Sequence, residues 1–118
     1  MKENKYSNIM TVSIPLSNEE YESLEKIGEK YYTKRVSTVI KNIIRDEMKG
    51  FEENNEQGIF VNFKEEVKAE KKVNVNLGTY TGEFVRKYSK KLGVPLYWFV
   101  RYMIFPQIKE EQQERKSV

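Results

Sequence analysis

The sequence predicts a mostly helical fold carrying one two-stranded antiparallel ribbon, assembled from two strand-helix-helix units. Three observations carry this. Residues 10–16 alternate apolar and polar side chains, and residues 71–77 do so again about sixty positions later. Each alternation runs into two stretches whose apolar residues recur at helical spacing. A segment dense in Glu and Asn separates the two units. Strand side chains alternate faces while helix faces repeat every three to four residues, so the two periods are separable, and a repeated order of elements marks repeated units.

A chain of 118 residues has room for one hydrophobic core. Eight Tyr, six Phe and one Trp supply large side chains for it. Units of about forty residues are too small to stand alone, so the two are expected to pack on each other or on a second chain. There is no Cys, which excludes disulfides and thiolate metal sites. There is no His either, which removes the usual neutral-pH base and the commonest zinc ligand. No apolar run is long enough to span a bilayer, and residues 1–7 are polar with no apolar signal core. The expectation is a cytoplasmic chain with no membrane partner, no metal and no cofactor.

Residues 1–9 read as a flexible arm. In the first strand Val12, Ile14 and Leu16 face one way, and Thr11, Ser13 and Pro15 the other. Pro15 cannot donate to a ladder, so the strand belongs in a ribbon with that side turned outward. Ser17 and Glu20 make a capping box for a helix whose stripe is Tyr21, Leu24, Ile27, Gly28 and Tyr31. After a polar turn, Thr33-Lys34-Arg35, Ser37 reads as the cap of a second helix carrying Val39, Ile40, Ile43, Ile44 and Met48, with Gly50 as its stop. The first unit thus spans 10–48, and 49–70 reads as an acidic linker whose one apolar stretch is 58–63.

The second unit spans 71–106. Val73, Val75 and Leu77 alternate with Lys72, Asn74 and Asn76. The next helix carries Phe84, Val85, Tyr88 and Leu92 and ends at Gly93. Pro95 suits the first turn of the last helix, and Pro106 is expected to end or kink it. The aromatic group Tyr97, Trp98, Phe99, Tyr102 and Phe105 reads as core, with Trp98 largely buried. Residues 107–118 form a charged tail.

The net charge of +3 hides an asymmetry. Residues 71–109 hold eight Lys or Arg and one acid, Glu83. Residues 46–70 hold eight acids and three Lys. A basic half beside an acidic segment suggests a surface that faces a polyanion.

Strand, helix, short turn and helix in about forty residues resembles the ribbon-helix-helix family of DNA-binding proteins, the Arc and MetJ type. Residues 10–48 carry the resemblance best, and 71–105 match it in order and spacing. The resemblance implies a tandem ribbon-helix-helix pseudo-dimer whose ribbon enters the DNA major groove above a four-helix core. It implies base reading by Thr11, Ser13 and Pro15 in the first strand and Lys72, Asn74 and Asn76 in the second. Asn suits adenine and Lys suits guanine, whereas Pro15 offers only apolar contact, so the two strands are expected to read unequally. The family's phosphate clamp at the start of its second helix maps to Val36, Ser37 and Thr38 with Arg35 adjacent, and to Pro95, Leu96 and Tyr97 in the second unit. There Pro95 lacks an amide hydrogen and the Tyr97 hydroxyl is the substitute. Lys71 is expected to meet phosphate as well.

The function that follows is sequence-specific binding of double-stranded DNA, as a transcriptional repressor or as an accessory protein of plasmid DNA processing, of the relaxosome kind. Self-association on adjacent DNA sites fits that role. The alternative is an antitoxin-like interaction module with weak DNA affinity, whose linker or C-terminal tail wraps a protein partner. The paired carboxylates, Glu19 with Glu20 and Glu65 with Glu66, lie without His, phosphate loop or metal spacing. They read as solvated helix faces, so no catalytic residue is expected.

Overall fold

A computed structural model describes residues 10–54 and 68–116. The expected arm at 1–9 and the apolar stretch 58–63 lie outside the described residues. The described chain is mostly helical. Strand β1 (Thr11–Leu16) leads into α1 (Asn18–Ile27), a 3-10 turn (Gly28–Tyr31) and α2 (Val36–Asn54). Strand β2 (Lys71–Asn76) leads into α3 (Gly78–Leu92) and α4 (Leu96–Lys116).

The strands pair antiparallel with each other. Val12 stands opposite Val75 and Ile14 opposite Val73, and these face the helices. A backbone bond from Leu77 N to Met10 O (2.8 Å) continues the ladder. It also sets the phase: core-facing pairs exchange backbone bonds, and outward pairs turn their backbone groups to the ribbon edges. Pro15 belongs to an outward pair, opposite Lys72. Its missing N–H therefore costs no ladder bond, as the sequence led one to expect.

Helix α1 starts with the expected capping box. Ser17 Oγ accepts from Glu20 N (3.1 Å), and Glu20 Oε1 accepts from Ser17 N (2.8 Å). At its far end the chain turns so tightly that a Cβ on Gly28 would stand 2.5 Å from Thr33 O. Only glycine fits there. Tyr32 then takes the left-handed conformation at φ 57°, and Gly93 does the same after α3 at φ 70°. The turn after Gly93 is one residue shorter, since α2 begins four residues past Tyr32 and α4 three past Gly93.

The second helices cross over: α2 packs on β2 and α4 on β1. Val39, Ile40, Ile43, Ile44 and Met48 of α2 are buried, as are Phe99, Val100, Met103, Ile104 and Ile108 of α4. They join Val12, Ile14, Leu16, Val75 and Leu77 in one core.

Four expectations change. Gly50 does not stop α2, which runs on to Asn54. Phe51 explains this: its ring lies edge-on to Phe84, Tyr88 and Phe99, with centroids 5.5, 4.8 and 5.4 Å away. Burying that ring outweighs the roughly 1 kcal/mol cost of a mid-helix glycine. Pro106 does not stop α4 either; it sits on the exposed side of a helix that continues to Lys116. Ile108 is buried beyond it, and Arg115 reaches Ser23 Oγ of α1 (3.0 Å) and pairs with Glu111 (3.0 Å). Ser37 is not the cap of α2 but its second residue, because Val39 N already bonds to Arg35 O (3.0 Å). Finally, Trp98 is only partly buried and stacks on Tyr102 (5.8 Å, 3°), while its neighbour Phe99 is fully buried. A helix in this position shows one stripe to the core, and Trp98 falls beside it.

Phe99→Ala should therefore destabilise the chain by about 3–5 kcal/mol. Trp98→Ala should cost clearly less. Urea unfolding followed by circular dichroism checks this, and equal losses would contradict the assignment of Phe99 to the core and Trp98 to its margin.

Candidate nucleic-acid interface

The register places all six expected reading residues on one face of the ribbon. Thr11 stands opposite Asn76, Ser13 opposite Asn74 and Pro15 opposite Lys72. Five of them are exposed, and Pro15 is partly so. Apart from Pro15 the face is polar, with Lys72 as its cation, because the period-two pattern sends the other apolar strand residues the other way. Asn74 presents its whole amide from the middle of the ribbon. Asn76 is more constrained: its Oδ1 accepts from Gly78 N (3.0 Å), which closes an Asx turn into α3. Its NH2 group remains the donor it can offer outward.

The expected anion-binding residues of the α2 start and Lys71 gather at one end of this face, and Tyr97 lies at the other. A surface groove of about 430 Å³ is lined by Tyr21, Val36, Ser37 and residues 71–74 of β2. The start of α2 opens into it. Val36, Ser37 and Thr38 occupy the first turn, where amides have no intrahelical acceptor. Arg35 is exposed at the cap position, and its own amide bonds to Thr33 Oγ1 (3.1 Å). Lys71 Nζ lies 4.9 Å above the centre of the Tyr21 ring. That contact holds the ammonium beside the groove without neutralising it.

At the other end, Pro95 sits just outside α4, and its carbonyl accepts from Phe99 N (3.2 Å). Its missing amide hydrogen thus removes none of the first-turn donors at Leu96, Tyr97 and Trp98. Tyr97 is 37% exposed in that turn.

A residue the sequence reading left out supports the ribbon from beneath. Arg101 of α4 is only 4% exposed. Its Nη1 donates to Pro15 O (2.7 Å) and Glu20 Oε1 (3.0 Å), and its Nη2 to Glu20 Oε2 (2.7 Å). The guanidinium thus joins the ribbon edge, the α1 cap and α4. The available signal was a lone cation in the apolar stretch 96–105. Burial alone would raise the Glu20 pKa, but hydrogen bonds from Arg101 and Ser17 outweigh it and hold the carboxyl below its ordinary value near 4.5.

Among the described residues, no helix is long and apolar enough to cross a membrane. No group of three or more His, Cys, Asp or Glu among them is placed to hold a metal. Comparison with protein-family models, with curated proteins and with solved structures yields no match.

Because folding lowers the Glu20 pKa, its stabilisation is present above the unfolded value and is lost as pH falls through the folded one. Wild-type stability should therefore drop in acid below about pH 4.3, and Glu20→Gln should flatten that part of the profile. Arg101→Met should cost about 3–5 kcal/mol at neutral pH, since it strands a largely buried carboxylate. Chemical denaturation across the pH range measures both, and an unchanged acid limb in Glu20→Gln would refute the assignment.

Proposed function

We propose that this chain is a sequence-specific double-stranded DNA-binding protein, a tandem ribbon-helix-helix pseudo-dimer that reads base edges with its β-ribbon. The observation that carries the reading is the outward face of Thr11, Ser13, Pro15, Lys72, Asn74 and Asn76, in register across two paired strands. A two-stranded ribbon fits the major groove, where Asn and Lys can discriminate bases. Outward residues recur about every 6.8 Å along a strand, which matches two base-pair steps of about 3.4 Å. The ribbon is long enough to read about six base pairs.

Internal correspondence supports the pseudo-dimer. Positions in the ribbon and first helices match at a separation of 61 residues: Val12 with Val73, Ile14 with Val75, Leu16 with Leu77, Leu24 with Val85, and left-handed Tyr32 with Gly93. Past the shorter turn the separation becomes 60, pairing Val39 with Phe99, Ile40 with Val100, Ile43 with Met103 and Ile44 with Ile104. Phosphate contacts are assigned to Arg35, Lys71, the first-turn amides of α2 and Tyr97, which would position the ribbon without reading sequence.

Such a protein serves as a transcriptional repressor or as an accessory factor in plasmid DNA processing. The interaction-module alternative asks for an available linker or C-terminal arm, and linker residues 55–67 lie outside the described residues. Residues 107–115 instead contact the body of the protein: Gln107 reaches Glu47 (3.5 Å), Ile108 is buried and Arg115 reaches α1.

Base and phosphate contacts fail differently. Asn74→Ala should lower affinity for a preferred duplex by about 1–3 kcal/mol and leave binding to scrambled DNA nearly unchanged. Lys71→Ala should weaken binding to every duplex and reduce the salt slope by about one. Titrations of cognate and scrambled duplexes at several salt concentrations separate the two effects. A chain with no preference among duplexes is not a sequence-specific DNA-binding protein.

A further inference from the structure

We infer that the ribbon takes a non-palindromic duplex in one orientation, because its two ends are chemically different. The inference rests on the DNA-binding reading and specifies the kind of site that reading requires. In a homodimeric ribbon both ends carry the same residues, so the two half-sites match. Here one chain supplies both strands. The pair Ser13–Asn74 lies at the middle, with Pro15–Lys72 towards one end and Thr11–Asn76 towards the other. By the internal correspondence, Thr11 stands where the other half has Lys72, and Pro15 where it has Asn76. The two halves therefore repeat no outward side chain.

The surroundings amplify the difference. The Lys72 end opens into the groove beside Lys71, Tyr21 and Ser37. At the opposite end the corresponding positions are Met10, Gly82 and Tyr97, none of them charged. Met10 is buried against Gly82, where a Cβ would stand 3.2 Å from the methionine Cβ and Cε. A residue the size of Tyr21 has no space there. Two ammonium groups on the ribbon strand itself thus favour phosphate at one end, whereas the other end offers hydroxyl, amide and apolar contacts from the ribbon, with the single Lys41 ammonium beside Gly78.

The base preferences differ in the same sense. Lys72 donates, which suits guanine O6 and N7, and the partly exposed Pro15 opposite suits a thymine methyl. Asn76, with its oxygen engaged by Gly78, and Thr11 form the other end. Reversing the duplex would bring Pro15, which offers no outward hydrogen-bonding group, against the base edge that Thr11 and Asn76 otherwise meet, and leave that edge's polar groups unpaired. Each such mismatch should lower affinity roughly tenfold.

The test uses the full chain and a duplex selected from a pool with a randomised centre. The protein has no Cys, so Lys34→Cys gives one attachment point for an iron chelate that cuts nearby DNA sugars. Lys34 is exposed, lies in the turn before α2 and belongs to neither contact set. The expected result is a selected sequence without dyad symmetry, cut on one flank only. Adding Lys71→Met and Lys72→Thr copies Met10 and Thr11 into the cationic end; it should lower affinity and bring cutting on the two flanks towards equality. A palindromic selected site or equal cutting by the parent protein would each overturn the inference while leaving DNA binding intact, and one-sided cutting that survives the double change would overturn the role given to Lys71 and Lys72. If the pool yields no preferred duplex, the DNA-binding reading fails and this inference fails with it.

Discussion

Everything in this fold hangs on the register between β1 and β2. Two six-residue strands from distant parts of the chain pair so that Val12, Ile14, Val73 and Val75 face the helices. A slip of one residue would turn those side chains to solvent and bury Lys72, Asn74 and Asn76. The hydrophobic penalty of that slip fixes the register, and the register creates the polar outer face. Core formation and exposure of the polar face are thus one event. The crossed packing of α2 on β2 and α4 on β1 locks it, since neither half can leave without stripping the other's strand.

Beneath the ribbon the two halves solve one problem in two ways. Arg101 of α4 spans the edge of β1 and the α1 cap, with Glu20 as its counter-ion. The corresponding residue of α2 is Lys41, whose Nζ lies beside Gly78 at the start of α3. No acid stands in the first turn of α3. A buried bidentate pair holds geometry tightly at a desolvation cost, whereas a partly exposed lysine holds it loosely at little cost. The side of the ribbon that carries Pro15 is accordingly the more firmly braced.

Charge is distributed in the same unequal manner. The cationic groove gathers Lys71 and Lys72 from β2 against the start of α2. Neither element makes the groove alone: the lysines come from the second unit and the helix start from the first.

Much was legible in the sequence because short-range periods encode it. The alternation at 10–16 and 71–77, the capping box at Ser17 and Glu20, and the apolar stripes of four helices each reflect local geometry that no partner is needed to explain. The outward residues Thr11, Ser13, Pro15, Lys72, Asn74 and Asn76 were equally legible, since alternation alone assigns their face. What stayed hidden depended on neighbours far along the chain. Gly50 reads as a stop until Phe51 is seen among Phe84, Tyr88 and Phe99. Pro106 reads as an end until Ile108 and Arg115 are seen holding the helix beyond it. Trp98 reads as core until packing gives that place to Phe99. Arg101 reads as an ordinary cation until Glu20 and the carbonyl of Pro15, more than eighty residues earlier, close around it. Sequence determined the elements and their faces, because those follow from the period of nearby residues. Tertiary structure alone decided where helices end, which aromatic is buried and which cation is caged, because each is settled by the gain from a distant contact set against a modest local cost.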